Sequence, residues 1–196
     1  MKKILSILLS IAFFYGFLSI FVNYSNYAGF SFGPFGTLLI TFLVTILFFI
    51  TISQLFRGKI SKKLVKFELI SYFVLIFCFI MFKSFGIRGI SLNIFDIVND
   101  FRNSPLQVYF NILVFIPLGS YFYIRYKNLT KTLLYGFLIT FSLETLQFIF
   151  ALGISDILDI LTNLLGTLIG YLFFTALTKF FSVKSDEKYY NIKKSS

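Results

Sequence analysis

The chain has 196 residues, of which 58% are hydrophobic and only 13% charged, with a net charge of +10 and a mean hydropathy of +0.88. A soluble domain carries about 25% charged residues, so this composition points to a membrane protein. No His and a single Cys, Cys78, exclude an intrachain disulfide, a Cys₂His₂ or Cys₄ zinc site and imidazole catalysis; any acid–base chemistry falls to carboxylates, Tyr, Lys or water.

Six apolar runs follow in chain order, at residues 4–22, 37–56, 67–83, 107–124, 132–152 and 160–178. Each has about the length a bilayer-crossing helix needs. The expected fold is therefore all-α: a polytopic transmembrane helical bundle of about six spans. Met1-Lys2-Lys3 resembles the start of a signal peptide. The apolar stretch behind it exceeds the ~7–15 residues of a signal core, so it reads as an anchor that stays.

Charge sets the expected orientation. Of the 18 Lys and Arg residues, only Lys83, Arg88 and Arg102 fall in the gaps assigned to the outer face. The others crowd the alternate gaps and the tail. The positive-inside rule then puts both termini in the cytoplasm, a multi-pass arrangement in the cell membrane, and an even number of crossings agrees. The basic loops read first as topology determinants alone, with lipid head-group or partner binding as the alternative. Their scatter between apolar runs argues against nucleic acid.

The expected organisation has three N-terminal spans (1–83), an outer amphipathic loop (84–106), a core of three spans (107–178) and a basic tail (179–196). In the first two spans Ser6 and Ser10, and Thr37, Thr41 and Thr45, step by four. Such stripes fit close helix packing, with hydroxyls bonded to their own backbone. Glu68, beside Lys66, reads as a solvated or snorkelling charge. In the loop, Leu92, Phe95, Val98 and Phe101 recur at helical spacing, as in a short interfacial helix. That segment is either a lid or a plain connector. Pro105 suits the start of the next span.

The last three spans hold the chemistry. Asn111 precedes Pro117 and Gly119 in the fourth, and the proline removes one helical hydrogen bond. Gly136, Thr140, Glu144, Gln147 and Ala151 form one small-and-polar face on the fifth. An ionisable group at a helix centre in lipid costs roughly 2.5–3.5 kcal/mol or more, so Glu144 needs a partner or a purpose. On the sixth, Asp156, Asp159, Asn163, Gly166 and Gly170 step by three or four, and Gly166 and Gly170 allow close backbone approach. If the fifth and sixth spans are antiparallel neighbours, Asn111, Glu144, Gln147, Asp156, Asp159 and Asn163 form one polar cluster near the outer leaflet. Pro117, Gly119, Gly136, Gly166 and Gly170 then serve kinking and packing.

Three blocks resemble the VanZ-like family: Asn111-Ile-Leu-Val-Phe-Ile-Pro117-Leu-Gly119, Glu144-Thr-Leu-Gln147, and Asp156-Ile-Leu-Asp159-Ile-Leu-Thr-Asn163-Leu-Leu-Gly166. Their order and spacing fit over roughly residues 92–174. Asn93-Ile94-Phe95 resembles a family element but lacks its proline. The Arg usual shortly before the first Asp is replaced by Leu152-Gly153-Ile154-Ser155. The resemblance implies a bacterial envelope protein, and the family's namesake accompanies glycopeptide resistance and raises tolerance to teicoplanin. Three readings stand. One is a non-enzymatic protein that binds a lipid-linked cell-wall precursor or an amphiphilic antibiotic among membrane lipids. Another is a membrane enzyme acting on a lipid head group or cell-wall lipid through Glu144, Asp156 and Asp159, with the two Asp residues open to a hard divalent cation. The third is a structural subunit in which the cluster is interhelical glue. No cofactor is called for, and oligomeric state is left open.

Overall fold

The computed structural model describes residues 2–27, 33–81, 87–103 and 105–194. It divides the chain into two compact units, Met1–Ile76 with Phe180–Ser196, and Phe77–Lys179. The end of the expected third run, at residues 82–83, and the first residues of the expected outer loop lie outside the described residues.

The first unit is built on α1 (Lys2–Tyr27) and α2 (Gly33–Phe56). Their hydroxyl stripes bond backward: Ser10 Oγ donates to the Ser6 carbonyl at 2.8 Å and Thr41 Oγ1 to the Thr37 carbonyl at 2.8 Å. These bonds neutralise the hydroxyls, so Ser6, Ser10 and Thr41 are buried. α2 ends on Gly58, whose φ of +70° is a left-handed turn that glycine adopts freely. β1 (Lys59–Ser61) leads into α3 (Lys62–Met81). Glu68 on α3 is half-buried and accepts a hydrogen bond from the Thr51 hydroxyl of α2. The tail folds as a hairpin, β4 (Phe181–Ser185) and β5 (Tyr189–Lys194), with antiparallel sheet order β1-β5-β4. Asp186 closes its turn by accepting from the backbone N–H groups of Lys188 and Tyr189 and from the Asn191 amide. Together these donors hold its carboxyl below the usual range, with the Asn191 bond the largest cause.

The second unit contains β2 (Ile87–Ser91), a 3₁₀ turn (Ile94–Asp96), α4 (Ile97–Asn103), α5 (Pro105–Tyr126), α6 (Leu129–Ile149), β3 (Leu152–Asp156) and α7 (Ile157–Phe180). α5 begins at Pro105, where the absent N–H does no harm. The Asn128 side chain caps α6 by accepting from the Lys131 N–H at 2.9 Å. α6 stops at Ile149, short of the expected end at 152. Ala151 turns left-handed at φ 52° and the chain becomes extended. β3 then pairs in parallel with β2, setting Arg88 opposite Gly153 and Ser91 opposite Asp156. The five short strands are additions to the helical fold that the sequence was expected to form.

Among the described residues, five helices are long and apolar enough to cross a membrane: Lys2–Asn23, Pro34–Phe56, Pro105–Tyr126, Leu129–Ile149 and Ile157–Phe180. α6 shows the inverted pattern of such a helix. Its buried residues are Thr132, Gly136, Thr140, Glu144 and Gln147, while Leu134, Phe137, Leu138 and Phe141 are exposed. In water this arrangement would be costly; in hydrocarbon it is favoured. The protein is a multi-pass, predominantly helical membrane protein.

Candidate functional site: a buried polar cluster among three helices

Close backbone approach brings the cluster's helices together. A Cβ built on Gly119 would fall on the carbonyl oxygen of Thr167, one on Gly166 on that of Ile112, and one on Gly170 on that of Ile116. α5 and α7 therefore run in parallel with their backbones in contact, which only glycine at these positions permits. A Cβ on Gly136 of α6 would lie 3.0 Å from Thr167 Cγ2, so α6 packs antiparallel against α7. The Tyr123 and Thr178 hydroxyls, 2.8 Å apart, fasten the far end of the α5–α7 pair.

At the near end the side chains are polar. The start of α5, the end of α6 and the start of α7 meet there. Asp159, 9% exposed, accepts from the Asn111 amide at 2.7 Å and from the Gln107 amide at 3.3 Å. Asn111 Nδ2 also lies 3.4 Å from Thr162 Oγ1. Glu144, 4% exposed, accepts from the Asp156 backbone N–H at 3.1 Å. Asp156 itself is half-buried and accepts from the Leu158 N–H at 2.9 Å. That bond caps the start of α7. One turn deeper, Asn163 donates to the Thr140 hydroxyl at 2.7 Å. Two buried amide oxygens, Gln147 Oε1 and Asn163 Oδ1, have no hydrogen-bond partner among the described residues.

Interhelical bonds thus join Asn111 to Asp159 and Asn163 to Thr140, and Glu144 of α6 accepts from the backbone at the end of β3. Gln147 is buried on the same face of α6 with its amide oxygen unpaired. Pro117 is exposed on α5. Among the described residues, no group of three acidic, His or Cys side chains is placed to hold a metal ion. The bonds that Asp156 and Asp159 already make compete with that use.

Two residues, one in the cluster and one beside it, escaped the sequence reading. Gln107 stands four residues before Asn111 and shares its helix face, a signal that was available. Arg88 was counted only as an outer charge. Pairing of β2 with β3 brings its guanidinium 2.8 Å from the Ile149 carbonyl and 5.4 Å from the Phe148 ring centre. It thereby satisfies a carbonyl in the last turn of α6 and offsets the negative helix end. The segment before Asp156 lacks its own Arg, and the parallel strand supplies a cation beside it.

The family model described as VanZ/LLP1 matches residues 69–179. The chain belongs to the VanZ/LLP1 family. Protein VanZ of Enterococcus faecium is 29% identical over 116 residues, which cover 58% of this chain and 70% of that protein. No solved structure matches the chain. The VanZ/LLP1 region contains α5, α6, β3 and most of α7, and so every residue of the polar cluster. α1 and α2 lie outside it.

Proposed function

We propose that this VanZ/LLP1 protein works in a bacterial envelope membrane as a binding protein rather than an enzyme. Its polar cluster, at the outer leaflet, holds the polar head of an amphiphilic ligand, a lipid-linked cell-wall precursor or an antibiotic. By doing so it changes susceptibility to glycopeptides and lipoglycopeptides. Both termini lie in the cytoplasm, and α3 completes six crossings. The observation that carries this reading is the set of buried acceptors at one end of α6 and α7. Glu144, Asp159, Gln147 Oε1 and Asn163 Oδ1 gather there, and the last two lack donors. A buried acceptor without a donor costs roughly 1–3 kcal/mol, and a ligand bearing N–H or O–H groups would recover that cost. The charge bias of the loops supports the orientation, and the family membership supports the envelope role.

The test is a deletion strain challenged with teicoplanin and a lipoglycopeptide, with lipid-linked cell-wall intermediates quantified by mass spectrometry. The binding reading expects a changed inhibitory concentration that the intact gene restores. Unchanged susceptibility together with an unchanged intermediate pool would reject it.

A second reading, interhelical glue, is favoured by the bonds Asn111–Asp159 and Asn163–Thr140. It expects substitutions in the cluster to lower thermal stability in detergent and to change susceptibility only as far as abundance falls.

A further inference from the structure

A second polar feature lies in the first unit, and it does not depend on the cluster just described. The first turn of α1 and the last turns of α2 enclose a cavity of about 410 Å³. Lys2, Lys3 and Arg57 stand in its wall, and among the described residues no acidic side chain does. Ser53 Oγ, also in the wall, is buried and has no hydrogen-bond partner among the described residues. Lys2 Nζ donates to the Phe56 carbonyl at 2.9 Å, which draws the α1 start onto the α2 end. Gln54 Oε1 accepts from the Ser61 N–H at 2.7 Å, so the group Gln54 has left to offer the cavity is its NH₂ donor. Phe49 and Ile50 supply an apolar side.

The lining is thus rich in cations and donors and poor in acceptors. Its chemistry fits an anion with several oxygens. The cavity also sits at the ends of two helices long enough to cross a bilayer, the level at which lipid phosphates lie. Basic pockets between spanning helices are a recurring form of phospholipid head-group site. We propose that this cavity binds the phosphodiester head group of an anionic phospholipid. The two basic side chains Lys3 and Arg57 meet the phosphate, the Ser53 hydroxyl donates to one of its oxygens, and the apolar wall takes the glycerol and upper acyl chain.

The experiment is native mass spectrometry of the full chain in detergent, titrated with phosphatidylglycerol, phosphatidylcholine or soluble glycerol phosphate. The expected result is preferential retention of phosphatidylglycerol. The double variant Lys3→Gln/Arg57→Gln should bind it about thirtyfold more weakly, since each cation near a membrane surface contributes to attraction of anionic lipid. Ser53→Val keeps every charge and should weaken binding about tenfold, the effect of one lost hydrogen bond to a charged group. Lys184→Gln/Lys193→Gln removes two charges from the tail hairpin and should leave binding unchanged. Equal retention of the two lipids, or an equal loss in the tail variant, would overturn the proposal. Glycerol phosphate binding as tightly as the lipid would overturn the lipid as its source. If the Lys3/Arg57 variant does not fold, Ser53→Val decides alone, and unchanged binding there counts against the site.

Discussion

Asp159 illustrates what a single buried carboxylate demands of its neighbours. Two amides, from Gln107 and Asn111, point donors at it from α5. Removing the nearer donor leaves a charge in a low-dielectric site with less compensation. Asn111→Leu, nearly the same size, should therefore destabilise the protein by about 1–3 kcal/mol, read as a lower melting temperature in detergent. Unchanged melting would mean that this bond adds nothing. Glu144 and Asp159 were legible in the sequence because acids stand out in apolar runs. Their partners were less so. Gln107 lies near a span end where polar residues are ordinary, and Arg88 reaches the end of α6 only through a strand pairing. That Glu144 accepts from the Asp156 backbone N–H is a consequence of where β3 ends.

Helix packing depends on glycine. The backbone carbonyls facing Gly119, Gly166 and Gly170 cannot retreat as a flexible side chain could. Gly119→Ala should cost about 1–3 kcal/mol by forcing α5 and α7 apart. Gly16 on α1 meets nothing among the described residues within 4 Å of a built Cβ, so Gly16→Ala should be neutral or stabilising by up to about 1 kcal/mol. Thermal melts of the two variants side by side check this; equal losses would show that the close contact is not what matters. The Gly-x-x-x-Gly spacing of Gly166 and Gly170 made a close contact legible, but not its partner, since nothing local in the sequence says that the Ile112 and Ile116 carbonyls of α5 face these glycines.

The helix runs were legible to within a few residues because apolar length is a local property. The strands were not. Leu152 reads as the end of the fifth apolar run and Asp156 as part of the sixth span's polar stripe, and the pairing of residues 152–156 with residues 87–91 is a long-range contact that no local pattern encodes. The tail hairpin is local, yet its abundant lysines draw attention to charge rather than to the alternation in Phe181-Ser182-Val183-Lys184. Its turn makes a pH prediction. The Asp186 carboxyl is lowered in the folded hairpin, so its contribution is present above the unfolded carboxylate value and is lost as pH falls through the lowered one. The Lys188 and Tyr189 amides should exchange faster below that pH, and Asp186→Ala should abolish the dependence. Persisting dependence in the variant would assign it to another group.

Across the whole molecule, composition and charge bias determine more than any motif does. They point to a membrane protein and favour cytoplasmic termini. Cysteine labelling in intact cells tests the orientation: a Cys at Leu92 should react from outside, and one at Lys59 should not. The reverse pattern would move the polar cluster to the inner leaflet and remove its proposed access to the envelope. Function was less legible than fold. The three VanZ-like blocks mark the residues that meet, but the same bonds can serve either a ligand or the bundle itself. Substitution that keeps shape while removing charge separates these roles.

Glu144→Gln is that substitution. The intact gene and the variant should be returned to a deletion strain at matched membrane abundance, and the inhibitory concentration of teicoplanin measured. A buried acceptor that serves a ligand predicts normal insertion and loss of complementation; full complementation by the variant would contradict a functional role for the carboxylate.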